Sequence, residues 1–144
     1  MNKGFMVAGI ALIILGLLFA AMFPSAFYTS AREVDIDNYQ DGDEITVYGT
    51  ITDIGYVDLL NATVIELDGN LTVLAPGHIE NFHEGDYVYM EIKKVVDAEL
   101  FGHEIAHWEL VCGIHLVSET RFYGYLVSLA GVAVVILASV MKKR

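Results

Sequence analysis

The chain has 144 residues, 55% of them hydrophobic, with a mean hydropathy of +0.50 and a net charge of −11. That length holds one domain of modest size, and so acidic a chain repels phosphate backbones, which argues against nucleic acid as a partner. The single cysteine, Cys112, excludes an intramolecular disulfide; pairing between chains and ligation of a metal or haem stay open, and the favoured reading is a buried small hydrophobe.

From Phe5 to Phe23 the sequence carries no charge. At a rise of about 1.5 Å per residue this run spans roughly 28 Å, close to the ~30 Å hydrocarbon core of a bilayer. A transmembrane helix is therefore expected over residues 1–23. Lys3 in front and Ala20 and Ala21 near the end also suit a secretory signal, but the apolar run exceeds the usual ~7–15 residues of such a signal, which favours an uncleaved anchor. Gly9 and Gly16 stand about two helical turns apart, on one face where another helix can approach closely. Pro24 ends the span, with Phe23, Phe27 and Tyr28 as an interfacial aromatic belt. Residues 24–43 read as a polar juxtamembrane linker closing at Asp41-Gly42.

Residues 44–118 read as a domain of short strands. Ile45, Val47, Gly49 and Ile51 alternate with Thr46, Tyr48, Thr50 and Thr52, the period of a half-buried strand. Ala62 to Leu67 and Leu71 to Ala75 form a hairpin, because Asp68-Gly69 supplies the positive φ angles of a tight turn. A fourth strand runs from Tyr87 to Lys93, a fifth lies between Glu104 and Val117, and residues 95–102 either extend the fourth strand or begin a helix. The segment 76–86 is expected to hold a short helix with Ile79 and Phe82 inward. His78 and His83, among Glu80, Glu84 and Asp86, offer donors for a divalent ion, but no ligand spacing singles them out and they read as solvated loop residues. Five such strands predict an all-β, five-stranded OB-like barrel flanked by two transmembrane α-helices. Asn61-Ala62-Thr63 and Asn70-Leu71-Thr72 are glycosylation acceptor sequences.

The final segment, 119–144, is a second helix and a basic tail. Tyr123 to Met141 is uncharged, begins with aromatic Phe122, Tyr123 and Tyr125, and carries Gly124 and Gly131 at the same spacing as the first pair. The helices are expected to pack as an antiparallel pair or on copies of themselves, making a homo-oligomer through the Gly9/Gly16 and Gly124/Gly131 faces. All 19 acidic residues fall between Glu33 and Glu119, against Arg32, Lys93, Lys94 and Arg121, a net of −15, whereas Lys3, Lys142, Lys143 and Arg144 give the ends +4. The positive-inside rule then puts both termini in the cytoplasm and the strand domain outside.

Two motifs bear on chemistry. His103-Glu104-Ile105-Ala106-His107 spells the zinc-protease signature His-Glu-x-x-His, in which a helix brings both imidazoles to one metal and the glutamate acts as general base. A zinc-dependent membrane hydrolase would use His103 and His107 as ligands and Glu104 as the catalytic residue. Against it, Gly102 disfavours a helix start, Glu119 is the one downstream carboxylate placed as a third ligand, and Ala106, Trp108, Leu110 and Cys112 alternate as in a strand. A strand would hold the two histidines about 13 Å apart.

The other motifs carry a resemblance. Tyr28-Thr-Ser-Ala-Arg-Glu-Val34 is similar to the aromatic-Thr-Pro-Ser-Glu-Val entry of the haem chaperone of cytochrome c maturation, and Phe82-His-Glu-Gly-Asp86 to its Phe-x-Glu-Gly segment. The resemblance implies an anchored OB-fold that attaches haem near the end of its last strand, where Cys112 and His115 stand here. Leu116 and Glu119 occupy the positions four residues on, where that family has tyrosine. The chain also resembles the small OB domains that accompany stomatin-type membrane proteins. The expected role is noncatalytic, with no cofactor: a membrane-anchored module that binds a ligand or a membrane or envelope protein partner.

Overall fold

The computed structural model describes residues 2–142 and divides into two compact units, one from Pro24 to Leu116 and one made of the terminal segments up to Phe23 and from Val117 onward.

The terminal unit is a pair of helices, α1 (Asn2–Met22) and α2 (Val117–Lys142), both long and apolar enough to cross a membrane. α2 begins six residues before its expected apolar core at Tyr123. The helices pack antiparallel through the glycines: a Cβ on Gly9 would meet Gly131 O at 2.8 Å, and one on Gly131 would meet Gly9 O at 2.5 Å. Gly16 and Gly124 face each other in the same way. Without side chains the two backbones come close enough for Ser128 Oγ to donate to Ile13 O at 2.9 Å. Arg121 Nε donates to Phe23 O at 2.9 Å, supplying one of the carbonyls that the end of α1 leaves unpaired. The glycine faces are thus filled within one chain, and contact between copies through them requires this pair to open.

The other unit is a seven-stranded mixed sheet: β1 (Thr29–Ser30), β2 (Glu44–Val57), β3 (Ala62–Leu67), β4 (Leu71–Pro76), β5 (Tyr87–Leu100), β6 (His103–Leu110) and β7 (His115–Leu116). The strands lie in the order β1-β2-β3-β4-β6-β5-β7, and β2 also pairs with β5, so the sheet curls into a partial ring. Of the expected five-stranded barrel between two helices, the structure shows the terminal helices and a strand-rich unit, here a mixed sheet of seven strands curled into a partial ring. Pairings are antiparallel except β1–β2 and β4–β6.

β2 and β5 are each 14 residues long, well beyond the alternating run from Ile45 to Thr52 and the expected Tyr87–Lys93. A bulge accounts for each extension. β2 pairs with β5 over Glu44–Thr50 and with β3 over Ile51–Val57, with a register shift between Ile51 and Asp53. Such a shift bends a strand and lets it serve two neighbours. β5 shifts register between Val96 and Ala98, and its far half makes a ribbon with β6. The stretch 95–102, which reads as strand or helix, is therefore strand as far as Leu100, with Phe101 and Gly102 forming the turn into β6. The segment 77–86 holds no helix; Ile79 and Phe82 nevertheless pack against the core.

The core follows the sequence alternation. Val47 and Ile51, Ile65 and Leu67, Val73 and Ala75, and Val88, Met90 and Ile92 are buried, joined by Trp108. The next inward position on β5 is Lys94, 2% exposed. Its Nζ donates to Tyr39 O at 2.6 Å, Ile36 O at 2.9 Å and Glu104 Oε2 at 2.9 Å, which uses all three ammonium hydrogens. The residues expected to be a plain linker are thereby folded onto the sheet. Ala31 and Val34 enter the core, and the Tyr39 ring meets Trp108 edge-on at 5.3 Å.

Asp68 and Gly69, with φ of 53° and 66°, form the expected hairpin turn. The Asp68 carboxylate accepts from Thr50 N at 3.0 Å, and a Cβ on Gly49 would lie 2.7 Å from its other oxygen. Glycine at 49 is what lets the turn close over β2.

Candidate functional site

A cleft of about 900 Å³ opens on the sheet unit. It arises where β4 and β6 part: the two strands pair only through Val73–Trp108 and Leu74–Glu109. The alternation that buries Ile65 and Val73 turns Val64, Thr72 and Leu74 outward, and these form one wall. Ala106 and His107 of β6 form the opposite wall, with Leu60 of the β2–β3 turn and residues 32–36 at the sides. Asn70 fixes that last segment, its Nδ2 donating to Ala31 O at 2.9 Å and Val34 O at 3.3 Å. The nitrogen that a glycan would occupy at Asn70 is therefore engaged. In the other acceptor sequence Thr63 is buried, its hydroxyl donating to Gly77 O at 2.7 Å.

Ionisable groups enter the cleft from three elements. Arg32, Glu33 and Asp35 come from the entry segment, Asp97 from β5 and His107 from β6. Asp97 is the residue at the β5 register shift, and a bulge re-aims the side chain it carries. Its Oδ2 lies 2.6 Å from His107 Nδ1, while Glu109 Oε1 lies 2.9 Å from Nε2. Both ring nitrogens face carboxylates, and only the imidazolium can donate to both. Burial lowers the His107 pKa, but the hydrogen bonds and charges of Glu109 and Asp97 outweigh it, and the net shift is upward from 6.5.

The sequence-predicted residues do not gather here. His103, Glu104 and His107 lie on strand β6, not on a helix. His103 lines a separate acidic depression of about 470 Å³ with Asp37, Asp41 and Glu99, whereas His107 lines the cleft. Glu104 is the partner of Lys94. No cluster of three or more His, Cys, Asp or Glu among the described residues is arranged to hold a metal, and the three residues of the signature do not converge on a zinc position.

Cys112 is exposed, against the expectation that it is buried, and its Sγ sits 3.9 Å from Glu91 Oε2. It follows the end of β6 at Leu110, where the alternation that ran through Trp108 no longer governs burial. His115 stacks on Tyr89 at 5.2 Å, and Tyr89 on Tyr28 at 5.4 Å. Neither Cys112 nor His115 lines the large cleft. An exposed thiol beside a carboxylate and an imidazole occupied by a tyrosine ring do not make an apolar haem cradle. His78 stacks on Tyr56 at 3.6 Å, and the backbone of His83 is held by Asp86 in a turn.

The cleft itself escaped the sequence reading. Leu60, Val64 and Leu74 look like ordinary strand or turn residues, and Asp97 like a linker acid. The one legible signal was the outward apolar parity of Val64 and Leu74, where a solvent-facing strand position usually carries a polar residue.

No family model and no curated protein matches the sequence. Among solved structures, OBody AM2EP06 bound to hen egg-white lysozyme is similar at 12% identity and a TM-score of 0.37, over 53% of this chain and 81% of that one. Asparaginyl-tRNA synthetase from Pyrococcus horikoshii is similar at 13% identity and a TM-score of 0.41, over 62% of this chain. The match spans only 24% of the synthetase. Both are weak likenesses between sheet-rich folds.

Proposed function

We propose that the chain is a noncatalytic binding module: an acidic, OB-like five-stranded barrel anchored in a membrane by its two terminal helices and serving in an envelope complex. The cleft between β4 and β6 carries this reading. At about 900 Å³ it falls within the ~300–1,000 Å³ typical of ligand sites, and it combines apolar walls with a few ionisable groups. The OB-like description draws on the cycle of pairings from β2 through β3, β4, β6 and β5 back to β2. The charge asymmetry supports cytoplasmic termini and an extracytoplasmic barrel. The His-Glu-x-x-His spelling lends no support to a hydrolase, because a strand carries it.

A photo-crosslinking residue placed at Leu60 or Ala106 in intact cells tests the binding role, with Glu84, in the loop between β4 and β5, as the control. A discrete adduct from the cleft positions and none from Glu84 is expected. No adduct from the cleft, or the same adducts from all three sites, would refute the reading. Cys112, exposed and the single thiol, tests the topology: a membrane-impermeant maleimide should label it in intact cells, and labelling only after lysis would reverse the assignment.

A further inference from the structure

We infer that the cleft receives a basic, extended segment of a partner protein, which pairs its backbone with the free edge of β6. This rests on the binding-module reading and names the chemistry of the partner.

Three observations converge. First, β6 is paired with β5 along its length but with β4 only at Trp108 and Glu109, so from His103 to His107 one edge has no strand neighbour among the described residues. An unpaired edge beside a cleft is the template for strand addition, in which main-chain hydrogen bonds supply affinity and alternate side chains supply specificity. Second, the facing wall presents Val64 and Leu74 outward, with Leu60, 58% exposed, at the cleft's side. An added strand can lay every second side chain on that apolar surface, and the intervening residues then meet the ionisable groups. Third, the charge is one-sided. The unit from Pro24 to Leu116 carries 18 acidic residues against Arg32, Lys93 and Lys94, a net of −15. In the cleft Glu33, Asp35 and Asp97 outnumber Arg32, and the His107 imidazole is already flanked by Asp97 and Glu109. A cationic segment complements this field, an acidic one is repelled, and lysine at alternate positions matches both walls.

The test uses the full-length protein in detergent micelles and three synthetic decapeptides: alternating Lys-Val, alternating Glu-Val, and the Lys-Val peptide N-methylated at every residue. The last keeps the charge and loses the backbone donors. Affinity is measured by titration at low and high salt, and backbone contact by amide hydrogen exchange. The Lys-Val peptide is expected to bind, to slow exchange at those amides of His103–His107 that β5 does not engage, and to weaken as salt rises. The Glu-Val peptide should not bind, and N-methylation should lower affinity at least tenfold. Combining Asp35→Asn with Asp97→Asn should weaken the Lys-Val peptide roughly tenfold through lost charge complementarity, with Trp108 emission unchanged as proof of folding. Absence of binding, equal binding of the N-methylated peptide, or binding without protection at β6 would each overturn the inference. A cleft-specific adduct in cells together with any of those results would leave the binding-module reading standing and remove the basic strand from it.

Discussion

Replacing Lys94 by methionine probes the contact that folds the entry segment onto the sheet. Methionine keeps most of the buried aliphatic volume and removes the ammonium, so the change isolates its three hydrogen bonds. Tyr39 O loses its 2.6 Å donor, whereas Ile36 O keeps a longer 3.3 Å bond from Tyr39 N. An orphaned buried carbonyl costs about 1–3 kcal/mol, and a hydrogen bond to a charged group contributes about 1.5–3 kcal/mol. Relief from burying a charge offsets part of this. The expected net loss is about 2–4 kcal/mol, a large share of the ~5–15 kcal/mol that holds a domain. Because Tyr39 packs edge-on against Trp108, the single tryptophan, its emission reports the same contact. The assay is a urea titration of the full-length protein in mild detergent, followed by Trp108 fluorescence. Lys93→Met, on the neighbouring outward position, should stay within about 0.5 kcal/mol of the parent. Glu104→Gln, which keeps an acceptor but removes the countercharge of a half-exposed partner, should fall between the two. A Lys94→Met midpoint indistinguishable from that of Lys93→Met would refute the reasoning.

Gly49→Ala places a methyl 2.7 Å from the Asp68 carboxylate and 3.1 Å from Ala31 Cβ; a loss of about 1–3 kcal/mol is expected from overpacking, read as a lower urea midpoint. Phe101 is fully exposed with φ of 53° and shares a two-residue turn with Gly102, where asparagine is the favoured residue. Phe101→Asn should therefore raise stability by about 1 kcal/mol, since a left-handed bulky residue costs about that much; an unchanged or lower thermal midpoint would contradict this. His107, whose folded pKa is raised above 6.5, contributes stability that is fully present below the unfolded pKa and is lost as pH rises through the folded one. The midpoint difference between the parent and His107→Gln should accordingly shrink from pH 6 to alkaline pH, and a gap that stays constant or widens would show that the carboxylate bridge is not its source.

Much of the architecture is written locally. The uncharged runs at both ends mark the helices, and the seven-residue spacing of the glycines marks the faces through which they pack. Asp68-Gly69 fixes the hairpin, and strict alternation identifies the inward residues of each strand. Lys94 shares the inward parity of Val88, Met90 and Ile92 but lies one residue past the expected strand end at Lys93, so its burial came only with the structure. The strand parity of Ala106, Trp108 and Leu110 outweighs the His-Glu-x-x-His spelling.

Periodicity tells which face of a strand is buried; it does not tell which strand lies beside it. The bulges near Thr52 and Asp97, the length of β2 and β5, and the parting of β4 from β6 depend on pairings between residues far apart in the chain. So do the folding of residues 31–39 onto the sheet by Lys94 and Asn70, and the exposure of Cys112 once β6 has ended. The cleft is a product of these pairings. Val64, Leu74, Asp97 and His107 acquire a common surface only when a partial ring forces two strands together at two residues and lets them separate on the way there.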